Sequence, residues 1–233
     1  MERTQKDIFE AGTSFEDTRE AMSLGFFFPS RTLFGVPERE SSLILKETKD
    51  SAPYRLWATD EPMHMPGSPQ PLYGSIPYVT GLTNTSQSAA LWINSAQTVI
   101  DIDHVDYDGT AGSIVTFTSE SGALEFFVFA STAPTDSDSN RVKRVINDLA
   151  TITGYAPLPM VQTLGFHFCK WAPVSANTLM ERSRLFTDNR FPVDVLWADI
   201  QWAASNDQGN HMYFQYNKEG FTPTDLDQMH SDF

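Results

Sequence analysis

Between residues 25 and 130 the chain is built of short apolar runs set apart by Gly, Pro, Asn and Ser. "SSLILKET" (41–48), "PYRLWA" (53–58), "AALWIN" (89–94), "TVIDID" (98–103), "SIVTFT" (113–118) and "ALEFFVFA" (123–130) are rich in β-branched and aromatic residues. Such residues fit a pleated, half-buried surface, and many short strands at this spacing predict an antiparallel β-sandwich. "DEPMHMPGSPQP" (60–71) interrupts them as a long Pro-rich loop, a length often tied to function. Residues 1–20 are charged and show no period, which predicts a loop or a frayed approach.

At "STAPTDSDSN" (131–140) the composition turns small and polar, as in a linker. After it, Val142, Val145, Ile146 and Leu149 recur at the i, i+3, i+4, i+7 spacing of an amphipathic helix, and Gly154 suits its C-terminal stop. "APLPM" (156–160) stiffens the next connection. Then the pattern becomes strand, helix, strand. A strand is predicted over 163–170. The helix after it has cap candidates Ser175 and Asn177 and apolar positions Leu179, Leu185 and Phe186. A second apolar run is "FPVDVLWADIQW" (191–202). Short joints make this a βαβ unit with parallel strands, the opening unit of a barrel if the sheet closes. Strand alternation puts Leu164, Phe166 and Phe168 toward the helices, and Gly165, His167, Cys169 and Trp171 toward a barrel interior. Trp171 and Asp199 then fall at the strands' C-terminal ends, where barrel enzymes place their chemistry. The division predicted is 1–157 and 158–233.

Charge and cysteine content remove several classes. In 233 residues, 16 Lys and Arg stand against 30 Asp and Glu, a net charge of −14. That argues against a nucleic-acid partner and an anionic membrane surface, both of which need clustered cations. Cys169 is the only cysteine, so no internal disulfide or cysteine-based metal site is expected. No apolar run reaches the roughly 18 residues of a membrane span. "MERTQKDIFE" has no apolar core of a signal peptide. Taken alone this predicts a cytosolic chain, and a chain lacking its native start would read the same.

Asp199 is the sharpest candidate, because a carboxylate closing an apolar strand is costly to bury unless it is hydrogen-bonded or used. Capping the next segment is the plainer alternative, and both stay open. Trp171 is either a stacking platform or a core residue. His167 beside Cys169 falls short of a metal site, and a hydrogen-bonded histidine fits better. Asp60 and Glu61 head the long loop, where solvated carboxylates are common. Asn84-Thr85-Ser86 is a glycosylation sequon, a pattern that chance often produces.

Seven stretches together resemble glycoside hydrolase family 31: "FGVPE" (34–38), "PYRLWATD" (53–60), "LYGSIPY" (72–78), "LWINSAQTVIDI" (91–102), "SESG" (119–122), "LGFHFCKW" (164–171) and "FPVDVLWADI" (191–200). They follow the family's order over roughly residues 24–225. The resemblance implies a galactose mutarotase-like β-sandwich, then the first βαβ unit of a TIM (β/α)8 barrel that is truncated here. It implies a retaining α-glucosidase with no metal or organic cofactor, acting on an oligosaccharide or glycan. By the same resemblance Asp199 holds hydroxyls of the sugar being cleaved, Trp171 lines that subsite, and Asp60 reaches its rim from a sandwich loop. For the glycan-trimming branch it further implies a regulatory β subunit and residence in the endoplasmic reticulum lumen. The family's nucleophile and acid/base are expected beyond residue 233, so this chain alone is expected to be inactive. Gln201 stands where an acidic residue is usual, and "NDQGNHMYFQYN" (206–217) departs from the family's shorter, more basic segment. A maltase or α-xylosidase specificity, or a non-catalytic carbohydrate-binding or interaction module, are the alternatives.

Overall fold

A computed structural model describes residues 21–61, 63–132 and 138–232. The expected loop over 1–20 and residues 133–137 of the expected linker before the helix lie outside the described residues. The chain divides into two compact units, one ending at Tyr155 and one beginning at Ala156.

The first unit contains two four-stranded antiparallel sheets. One has the order β1-β7-β6-β3, from β1 (Met22–Phe28), β7 (Thr110–Ser119), β6 (Thr98–Tyr107) and β3 (Tyr54–Leu56). The other has the order β2-β4-β5-β8, from β2 (Leu33–Gly35), β4 (Tyr78–Leu82), β5 (Ser86–Trp92) and β8 (Phe126–Thr132). Alternation dictates what fills the core. Ile100 and Ile102 are fully buried while Asp101 and Asp103 at the alternate positions are not, as "IDID" requires. Val115 and Phe117 of β7 and Val79, Ala90 and Trp92 of the second sheet join them in one core cluster. Trp92 stacks on Phe117 with ring centroids 5.5 Å apart. Its indole N–H donates to Ser119 Oγ at 2.9 Å, so this buried polar atom is satisfied.

The second sheet is covered on both faces along β4 and β5, while Phe126, Phe127 and Val128 of the edge strand β8 stay exposed. Tyr78, Ala89, Leu91 and Phe129 form a further cluster with Val145 and Leu149 of α1 (Asp138–Thr153). Burial on both sides explains why "AALW" is continuously apolar rather than alternating. The helix face differs from expectation at one position: Ile146 is exposed, and Arg141 is buried instead, its Nη2 donating to the carbonyl of Asn84 at 2.7 Å. Gly154, at φ +89°, ends the helix in the left-handed conformation that favours glycine.

Residues 41–48 are not a strand. The Arg39 guanidinium donates to the carbonyls of Gly35, Pro37, Ser42 and Leu43, and the chain wraps around it. Only Leu45 of this run enters the core, while Leu43 and Ile44 stay exposed. An apolar run was therefore legible, but a neighbouring cation took the Ser42 and Leu43 carbonyls, two that a ladder would have used.

The second unit holds a parallel pair, β9 (His167–Lys170) and β10 (Val195–Ala198), joined through α2 (Ala176–Asp188). A short 3-10 turn (Ile200–Trp202), a hairpin of β11 (Ala203–Ser205) and β12 (His211–Tyr216), and α3 (Pro223–Asp232) follow. Both parallel strands are shorter than expected: Val161–Leu164 is a 3-10 turn, and residues 191–194 precede the ladder. Leu164 is consequently exposed rather than facing the helix. Ser175 caps α2, its Oγ accepting from the Thr178 N–H at 3.1 Å. Leu179 is buried in the unit's core with Val174, Ala176 and Phe221, whereas Leu185 faces solvent. Among the described residues there is no closed barrel.

Candidate functional site

The parallel pair begins at a tight approach. Phe166 donates its N–H to Asp194 Oδ2 at 2.9 Å, and its carbonyl accepts from the Asp194 N–H at 2.9 Å. A side chain at Gly165 would overlap the Asp194 carboxylate, so glycine is required there by space rather than by backbone angle. From this start the alternation sorts the side chains. Phe166 and Phe168 pack edge-on against Phe186 of α2, and Phe166 also against Phe191. On the opposite face Trp197 Nε1 donates to His167 Nδ1 at 2.9 Å with the rings stacked. His167 Nδ1 thus accepts, its proton resides on Nε2, and Nε2 donates to the Thr163 carbonyl at 3.1 Å. Both ring nitrogens are occupied, so His167 is a hydrogen-bonded histidine and not a free ligand.

The strands end where the candidate chemistry lies. Ala198 pairs with Lys170, so Asp199 and Trp171 are the next positions of the same register at the C-terminal ends. Asp199 Oδ1 accepts from the Ile200 N–H at 2.7 Å and caps the 3-10 turn. Its Oδ2 lies 3.6 Å from Cys169 Sγ, which donates to it. Capping is therefore one established duty of this carboxylate. Each oxygen has a second lone pair, so capacity to accept from a hydroxyl remains. Local desolvation of the sulfur, then the charge and hydrogen bond of Asp199, raise the Cys169 thiol above its ordinary pKa although the residue as a whole is exposed. The thiol is held protonated, which suits a hydrogen-bond donor and not a nucleophile. Trp171 is 79% exposed, its indole open for contact.

One carboxylate and one open indole at neighbouring strand ends offer hydrogen-bond acceptors and a flat stacking surface. Glycoside hydrolysis takes two carboxyl groups about 5–9.5 Å apart across the scissile bond. Asp194, the other acid flanking β10, is five residues back along an extended chain, about 16 Å away. Among the described residues no three His, Cys, Asp or Glu side chains converge as a metal site. Gln201, next to Asp199, buries its Oε1 with no hydrogen-bond partner.

Asp60 belongs to the first unit, in the long loop, where Oδ1 accepts from the Tyr73 hydroxyl at 2.8 Å. That hydrogen bond, with local desolvation of the hydroxyl and the charges of Asp60, Glu38 and Glu61 adding to it, raises the Tyr73 pKa although the residue as a whole is exposed. Farther along the loop His64 Nε2 pairs with Glu40 at 2.8 Å. The β11–β12 hairpin adds a feature that the sequence did not signal. Its register jumps between Ala203 and Ala204, and the bulge carries Tyr213 and Phe214 outward, Phe214 at φ +61° and 96% exposed.

This geometry has close counterparts among known proteins. Residues 2–101 match the glycosyl hydrolase 31 N-terminal galactose mutarotase-like domain, and residues 156–233 match the TIM-barrel domain of glycosyl hydrolases family 31. The chain belongs to glycoside hydrolase family 31, with the mutarotase-like sandwich and the start of the family's barrel domain. Within it, the chain is 30% identical over 213 residues to neutral alpha-glucosidase AB of Dictyostelium discoideum and 32% identical over 196 residues to glucosidase 2 subunit alpha of Schizosaccharomyces pombe. These alignments cover 88% and 81% of the chain but 21% and 20% of the relatives, so it spans about a fifth of their length. A crystal structure of the glucosidase II alpha subunit superposes with a TM-score of 0.74 at 28% identity, covering 91% of this chain and 24% of that one. A heterodimeric complex of the ER glucosidase II catalytic subunit and the binding domain of its regulatory subunit gives 0.72 at 27%, covering 91% and 23%.

Proposed function

We propose that this chain is the sandwich domain (1–157) and the opening of the catalytic barrel (158–233) of a retaining α-glucosidase that trims glucose from glycans or oligosaccharides. The observation carrying this reading is the placement of Asp199 and Trp171 one residue past the last ladder pair, at adjacent C-terminal ends of parallel strands, in a family whose relatives are α-glucosidases. Asp199 would accept hydrogen bonds from hydroxyls of the sugar being cleaved, Trp171 would stack on its apolar face, and Asp60 would contribute from its loop. The nucleophile and acid/base are assigned to aspartates outside residues 1–233, and no metal or organic cofactor is invoked. By analogy with the heterodimeric relative, a regulatory subunit is the proposed partner and the endoplasmic reticulum lumen the proposed compartment.

The test compares two samples. The isolated 233-residue chain should not hydrolyse an aryl α-glucoside. The complete protein containing it should do so with retention, and Asp199→Asn there should cost about 2–4 kcal/mol of transition-state binding. Unchanged kcat/KM in that variant would reduce Asp199 to its capping role. Hydrolysis by the isolated chain that vanished in Asp199→Ala would show that the chemistry had been assigned to the wrong carboxylates.

A further inference from the structure

We infer that Asn84 is an N-glycosylation site. Of the nine asparagines, Asn84 alone is followed by any residue but proline and then Ser or Thr. The pattern by itself is weak, since nine asparagines yield about one such match by chance, so the case rests on placement. Asn84 and Thr85 are the exposed residues of the turn joining β4 to β5. Thr83 closes that turn: its N–H donates to the Ser86 carbonyl at 2.9 Å, and its Oγ1 accepts from the N–H groups of Thr85 and Ser86. The Asn84 main-chain carbonyl is held by Arg141. Its carboxamide takes part in no hydrogen bond among the described residues. The backbone is thus pinned while the modifiable amide stays open, and a bulky polar adduct there displaces no core side chain.

The step is a glycosyl transfer. Nδ2 of Asn84 attacks the anomeric carbon of a lipid-pyrophosphate-linked oligosaccharide presented by a lumenal transferase. The bond from that carbon to the pyrophosphate oxygen breaks, the lipid pyrophosphate leaves with the electron pair, and Nδ2 gives up one proton. Transfer onto the entering chain precedes closure of the hairpin, so the later engagement of the Ser86 hydroxyl by Thr83 at 2.8 Å does not oppose it.

In the cell the modification rests on the lumenal residence proposed above, and the experiment separates the two. The full 233-residue chain is sent into the secretory pathway of a eukaryotic host behind an added cleavable signal, and its intact mass is measured with and without an amidase that releases Asn-linked glycans. A single glycan is expected, absent in Asn84→Gln and Ser86→Ala and retained or raised in occupancy in Ser86→Thr. Because the signal supplies entry, an unmodified wild-type chain, or a glycan persisting in Asn84→Gln, overturns the site and leaves the α-glucosidase reading untouched. Loss of that reading would equally leave a glycosylated Asn84 in place.

Discussion

The two units treat their large apolar side chains differently. In the sandwich unit Trp92, Phe117, Ile100, Ile102 and Val79 are sealed between two sheets, and a helix covers the far side of one of them. In the unit from Ala156 onward, the aromatic side chains of the parallel pair meet helix α2 on one face only. On the other face Trp197 is 52% exposed and Trp171 more so. Parallel strands are ordinarily buried on both faces, and each large side chain left in water forgoes roughly 1.5–3 kcal/mol. A two-stranded sheet is marginal by itself. Within these 233 residues, the face that carries Asp199 and Trp171 is therefore the face that packing leaves unsupported.

That contrast can be broken most forcefully at the tryptophans. Trp92→Ala should cost the sandwich about 3–5 kcal/mol, read as a lowered urea midpoint of the β-sheet circular dichroism. Trp197→Ala, removing a half-exposed ring, should cost far less in the same assay, and equal losses would show the second unit to be as tightly packed as the first. Next in size is Gly165→Ala. The added Cβ must push Asp194 away from the Phe166 N–H, a strain of about 1–3 kcal/mol that should loosen the β9–β10 pair while the sandwich signal persists. Loss of the His167–Trp197 hydrogen bond, seen in the indole N–H resonance, reports it.

Ser175→Ala should follow at about 1 kcal/mol, the usual value of an N-cap, again confined to the second unit. Smaller still is a chemical effect. Asp199→Asn removes the charge that helps hold the Cys169 thiol protonated, so its pKa falls and the thiolate fraction at pH 8 rises. Alkylation of Cys169 should accelerate by about two- to fivefold, since attack requires the thiolate. An unchanged rate would mean that the carboxylate does not govern the thiol.

Much of this was legible in the sequence because it followed from alternation. "IDID" set Ile100 and Ile102 inward. The alternation of "FHFCKW" sent Phe166 and Phe168 to the helix, and the parallel register leaves Trp171 and Asp199 at adjacent strand ends. What was missed depended on side-chain partners that alternation does not encode. The apolar run at 41–48 did not say that Arg39, two residues before it, would gather four nearby carbonyls. Gly165 was legible only as a glycine, and the carboxylate that requires it lies 29 residues on, at Asp194. Ile146 and Leu185 satisfied the helical period yet face water, because period fixes a face and not the edge where burial stops. For Asp199 the sequence left two readings, and the structure supplies the capping bond without removing the acceptor capacity a sugar would use.

Order in this chain is expected to concentrate in the sandwich and to be thin at the strands that carry Asp199 and Trp171. Amide hydrogen exchange on the intact chain tests it most directly. Amides of residues 99–102 and 114–117 should be protected to the level of global unfolding, while those of 167–170 and 195–198 exchange orders of magnitude faster through local opening. Equal, strong protection in both sets, in a monodisperse monomer, would contradict the account.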